Sequence, residues 1–116
     1  MAVLRYEDLL EDVNRELTEK GLEFIAKDGK TVILRPVLLL GKEELKVVTT
    51  LLNVVGDEDA DTFVRIEAMD SMLLAAADKK QSLRDSLETL PPQIRTRVFD
   101  AWMKAGNGDA LGEASA

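Results

Sequence analysis

Almost all the residues of this chain that could do chemistry are carboxylates. Its 116 residues include twenty-two aspartates and glutamates but no histidine and no cysteine. Imidazole triads, imidazole general bases, zinc–histidine sites, thiolate metal sites and disulfides therefore fall away. The four serines, Ser71, Ser82, Ser86 and Ser115, sit in neither a Gly-x-Ser-x-Gly elbow nor a Ser-x-x-Lys arrangement. There is no Gly-x-x-x-x-Gly-Lys phosphate loop, and Gly106-x-Gly108 lacks both a preceding strand and a following helix. So many acids create many accidental carboxylate pairs, but no nucleophile, base and oxyanion donor come together in a recognisable pattern. The chain reads as non-enzymatic, with no cofactor and no resident metal.

Two charged clusters need a test of their own. Asp57-x-Asp59-x-Asp61 alternates acids as a calcium loop does, but that loop requires glycine at its sixth position and glutamate at its twelfth. Those positions are Thr62 and Ala68. The simpler reading is an acidic linker whose aspartates cap the next helix. Lys79, Lys80, Arg84, Arg95 and Arg97 are the nearest approach to a basic face. Fifteen cations scattered among twenty-two acids, at a net charge of -7, argue for solvated helix surface and no nucleic-acid partner. The apolar run Val37 to Leu40 is too short to span a bilayer. The N-terminus has no basic segment followed by an apolar one, so secretion is not expected and the cytoplasm is.

The elements that would position any site follow from periodicity. Tyr6, Leu9, Leu10, Val13 and Leu17 recur at three- and four-residue steps, predicting a helix from Tyr6 to Lys20 with an i,i+4 Glu16–Lys20 pair and a stop at Gly21. Leu22–Lys27 and Thr31–Val37 flank Asp28-Gly29-Lys30, predicting a β-hairpin across 22–37 with Pro36 ending the pairing. A lone hairpin is marginal in water, so one face must pack on helices or pair with another chain. Helices are then expected over Glu43–Val55 and Asp61–Asp78, followed by a short one capped by Ser82 and, after the Pro91-Pro92 break, one over Pro92–Ala105 with Gly106 as its C-cap. The expected fold is α+β and mainly helical: one domain over 1–105, with 106–116 as a flexible tail rich in glycine and poor in large apolar residues.

With polar chemistry absent, the apolar helix faces become the candidate site. Val47, Val48, Leu51, Leu52, Val54 and Val55 surround most of one helix, and Met69, Met72, Leu73 and Leu74 cover overlapping faces of the next. Such faces are either core or a groove for a helical partner, and paired methionines suit both. The residues set out for partner binding are Leu51, Leu52, Val55, Met69, Met72, Phe99, Trp102 and Met103. An edge strand together with wide apolar faces also fits a homo-oligomer.

Three segments carry a family likeness: the hairpin turn Asp28-Gly29-Lys30 leading to Val32-Ile-Leu-Arg-Pro36, the run Leu38-Leu-Leu-Gly-Lys-Glu-Glu44, and Val98-Phe-Asp-Ala-Trp-Met103 followed by Leu111-Gly-Glu-Ala-Ser115. In this order they resemble the tail assembly chaperones of long-tailed bacteriophages, the lambda G-like group, in the form found in phages of actinobacteria. A longer first helix and the Pro91-Pro92 break depart from the family layout. The resemblance implies a non-catalytic protein of the host cytoplasm, not retained in the mature virion, that binds the tape measure protein, keeps it soluble and helps recruit tail tube subunits. It further implies a frameshifted longer product that contacts the tail tube protein, with the tail as the junction. Two other classes fit the same composition: a head–tail connector or tail completion protein, which would be stoichiometric in virions, and a small acidic adaptor or regulator, whose binding would be strongly salt-sensitive.

Overall fold

In the computed structural model residues 2–107 are described, and the order of elements agrees with the sequence pattern. Helix α1 spans Tyr6–Lys20, strands β1 and β2 span Leu22–Ile25 and Thr31–Leu34, and a 3-10 turn covers Val37–Leu39. Then follow α2 (Lys42–Val55), α3 (Thr62–Ala76), α4 (Lys80–Glu88) and α5 (Pro92–Trp102), which runs on into a π-helical turn at Met103–Asn107. The fold is α+β and mainly helical.

The hairpin is closed by a three-residue loop. Ala26 donates to the Lys30 carbonyl and Gly29 N–H to the Ala26 carbonyl, and only Gly29 has a positive φ, at 85°. This is a tight turn followed by one left-handed residue, so Asp28-Gly29 needs a single positive φ, taken by the residue without a Cβ. Leu22, Phe24, Val32 and Leu34 face inward, with Val32 and Leu34 fully buried. The far edge of β2 is paired as well. Ile33 accepts from the Asp78 N–H and donates to the Asp78 carboxylate, Arg35 N–H donates to the Ala76 carbonyl, and Leu34 bridges Ala77. The segment after α3 thus covers the hairpin edge, as the marginal stability of a lone hairpin requires.

Helix α3 is the centre of the molecule, with α2, α4, α5 and β2 all packed against it. It buries Ala68, Met72, Leu73 and Ala76, whereas α2 buries only Val48. The acidic linker ahead of α3 behaves as a turn and a cap: Asp57 accepts from Asp59 N–H, and Asp61 from Phe63 N–H at 2.8 Å. At the other end, Arg35 Nε donates to the Ala76 carbonyl. Lys80 Nζ lies 2.8 Å from the Leu74 carbonyl and 3.0 Å from that of Ala77. Two cations thus satisfy carbonyls that a helix end leaves unpaired and complement its negative dipole. Burial, then the Arg35 charge, lower the pKa of Lys80, while Glu44 and Asp78 oppose that shift.

Three local expectations are corrected. Helix α4 begins at Lys80, so Ser82 lies inside it and is buried rather than capping it. The Ser82 hydroxyl donates to the Asp28 carboxylate at 2.7 Å, while Ser86 accepts from Lys27 N–H, so the two serines latch the hairpin turn onto α4. Gly106 is not a simple cap: it sits in the π-helical turn, where a Cβ would lie 2.7 Å from the Lys20 carbonyl and 2.9 Å from the Pro36 ring. The ordered body therefore reaches the first residues of the expected tail, and 108–116 lie outside the described residues. The Glu16–Lys20 ion pair is not formed; among the described residues the ion pairs are Arg15–Asp12 and Arg95–Asp70.

Arg35→Ala removes charge-assisted bonds to the α3 terminus while leaving its backbone bonds in place. It is expected to lower unfolding free energy by about 2 kcal/mol, read as a shift in the urea midpoint at constant slope.

Candidate protein-binding surface

Three of the eight residues set out for partner binding are core residues. Met72 is completely buried, Trp102 is 1% exposed and Phe99 6%. Phe99 and Trp102 meet edge to face at 5.7 Å between ring centroids, and Trp102 Nε1 donates to the Arg35 carbonyl at 2.8 Å. The stripe on α5 is therefore spent on holding that helix to the hairpin, and these residues are not an accessible face. Leu51, Leu52, Val55, Met69 and Met103 are half-buried against the core. Of these, Leu51 lines a shallow apolar groove of about 490 Å³ with Lys46, Val47, Thr50 and Ser71. This groove is the part of the expected α2–α3 surface that remains open.

A longer run of exposed apolar residues lies elsewhere. Helix α1 buries no residue, and Leu4 (79% exposed), Val3 (72%) and Tyr6 (71%) lead into Leu10 and Leu9 at 44% and 41%. Only the C-terminal half of α1 meets the body. There Asn14, Leu17 and Thr18 face Ile33, Arg35, Glu23 and Asp78 across a groove of about 330 Å³. On its other flank, Glu16 and Lys20 line a second groove with Pro36, Leu38, Leu39 and Gly106. The apolar stripe read from the sequence is real, but no element among the described residues covers its first two turns. A run of exposed large apolar residues on one helix face marks an interaction surface more often than chance exposure does.

The remaining polar clusters offer little chemistry. A cleft of about 470 Å³ is lined by Lys27, Asp28, Ser82, Asp85, Glu88 and Thr89. In it the Asp28 carboxyl is held below the ordinary carboxylate value by the Lys30 backbone N–H and then by the Ser82 hydroxyl. Such a carboxylate is a weak base at neutral pH, and the serine beside it lacks an activating imidazole. Of the five cations that came nearest to a basic face, Lys79 donates to the Thr31 carbonyl, Lys80 caps α3, and Arg95 pairs with Asp70. That last pair joins α5 to α3 with one oxygen of Asp70 and Nε of Arg95 buried and unpaired. Burial raises the Asp70 pKa, against the lowering pull of the Arg95 charge and hydrogen bond.

Comparison of the chain with protein-family models, with curated proteins and with solved structures returned no match. Its side chains and their placement carry the functional reading. Among the described residues no helix is long and apolar enough to cross a membrane.

Two outcomes follow from this geometry. Trp102→Ala is expected to cost about 3–5 kcal/mol of stability, whereas Leu10→Ser, at an open position, should stay within about 0.5 kcal/mol; paired thermal and urea melts decide it. Asp70 and Asp28 act oppositely in acid. With its folded pKa lowered, Asp28 contributes stability that is present above its ordinary value and lost as pH falls through the folded one. With its folded pKa raised, Asp70 makes a contribution that is present below the ordinary value and lost as pH rises through the folded one. Asp70→Asn removes the second contribution, so its stability should fall more steeply than that of the parent as pH drops from 5 to 3.

Proposed function

We propose that the chain is a non-catalytic tail assembly chaperone of a long-tailed bacteriophage. On this reading it binds the tape measure protein in the host cytoplasm, keeps that long helical client soluble, and helps recruit tail tube subunits without remaining in the virion. The observation that carries the reading is the open apolar stripe of α1, held out from a well-packed body on a strongly acidic chain. A holdase for an apolar helix needs apolar surface that is not consumed by its own core, and enough net charge to stay soluble while exposing it. The order of hairpin, apolar turn and aromatic-bearing last helix supports the phage assignment through its likeness to the lambda G-like chaperones.

The test is co-expression with the tape measure protein encoded in the same genome. The expected result is co-purification and a larger soluble fraction of the client. Failure of both, or recovery of this chain in stoichiometric amount from purified virions, overturns the proposal; the second result assigns the chain to the structural components of the particle.

A further inference from the structure

We propose that the stripe of α1 is a docking strip for one cationic amphipathic helix. This names the partner chemistry of the surface on which the chaperone reading rests. Tyr6, Leu10, Val13 and Leu17 follow one another at steps of four, three and four, which is the seam spacing of two paired helices. The fifteen residues of α1 present about 22 Å of seam, so the occupant is a segment of about four turns. Helix α1 does not offer this seam to its own body except at Leu17 and half-buried Val13.

Charge selects the occupant. Helix α1 carries Glu7, Asp8, Glu11, Asp12, Glu16 and Glu19 against Arg15 and Lys20, and Arg15 is already engaged by Asp12. Helical geometry puts Glu7 on one flank of the stripe and Asp12 and Glu16 on the other. Where the seam runs into the groove beside the hairpin, Glu23 and Asp78 add two carboxylates to the border against one cation, Arg35, whose guanidinium is engaged by the Ala75 and Ala76 carbonyls. A second copy would bring another helix of net charge -4 against this one, on a chain already at -7, so self-pairing meets repulsion along both flanks. Residues 108–116 hold one large apolar residue, Leu111, together with Asp109 and Glu113, and match neither the seam nor its charge. A helix with leucine-type residues at seam spacing and lysine or arginine beside them satisfies both.

The experiment titrates the full chain with two synthetic helical peptides, identical leucine heptads flanked by lysine in one and by glutamate in the other. Calorimetry is expected to show one lysine peptide per chain, about ten-fold or more tighter than the glutamate peptide. Amide shift changes should be confined to Tyr6–Leu17 and the groove residues. Leu10→Glu adds a negative charge, so attraction by charge alone would tighten binding; docking on the seam is instead expected to weaken about ten-fold or more. Equal binding of both peptides overturns the proposal, as does unchanged or tighter binding by Leu10→Glu. So does a sedimenting dimer of the parent chain that Leu10→Glu dissociates, because the occupant is then a second copy. If the tape measure protein is solubilised equally well by Leu10→Glu, the docking strip fails and the chaperone reading stands. If the peptides discriminate as expected but the tape measure protein does not co-purify, the chaperone reading fails and the strip stands.

Discussion

Arg35 is the point at which three separate parts of the molecule are tied. Its N–H extends the pairing of β2 onto Ala76, its carbonyl accepts from the Trp102 indole, and its guanidinium reaches the Ala75 and Ala76 carbonyls. One residue just after β2 thereby fixes the hairpin edge, the end of the central helix and the last helix. Pro36 follows at once and is itself buried, so the chain must turn away as soon as these bonds are made. Lys80 completes the same corner on α3, donating to the Leu74 and Ala77 carbonyls while the Arg35 guanidinium donates to those of Ala75 and Ala76. Removing either cation takes side-chain donors from the end of α3 where it meets the hairpin, although the backbone bonds of Arg35 and Ala77 remain.

That corner also explains why α1 is left over. With α3 surrounded by α2, α4, α5 and β2, and the outer edge of β2 taken by residues 76–78, the inner face of the hairpin is already full. Only its outer face, around Ile33, remains for α1, and it accommodates about half the helix. A stripe long enough to serve a core is therefore supplied with half a binding site inside its own chain.

Much of this was legible in the sequence, and the misreadings have physical causes. The order of the helices, both ends of α1, the hairpin, the Asp61 cap and Pro92 at the first helical position follow from local rules that tertiary structure did not override. Helices α3 and α5, by contrast, stop at Ala76 and Trp102, short of the expected Asp78 and Ala105. Ser82 was read as a cap because a serine ahead of a leucine repeat is a strong local signal. The hairpin turn, distant in sequence, offered its hydroxyl a carboxylate instead. The apolar faces were visible but their roles were exchanged: Trp102 and Phe99 went inward, Tyr6 and Leu10 stayed outside. Amphipathicity reports that a helix has an apolar face, not what covers it. Only the saturation of α3 by other elements decides which stripe is surplus, and that is a property of the assembled chain.

The separation of body from stripe has an energetic consequence for binding. Helix α1 is preceded by Arg5, which makes no side-chain cap, and a lone helix of fifteen residues is marginal in water. What secures it is its lower half, through Gly21, whose N–H bonds the Leu17 carbonyl, and through the contacts with the hairpin. Its first two turns gain little from the body, so they can open without disturbing the Arg35 corner or the Trp102 contact. A partner helix laid along Tyr6, Leu10 and Val13 supplies the burial those turns lack. On the chaperone reading proposed above, it is this stripe, left outside the core, that meets the client.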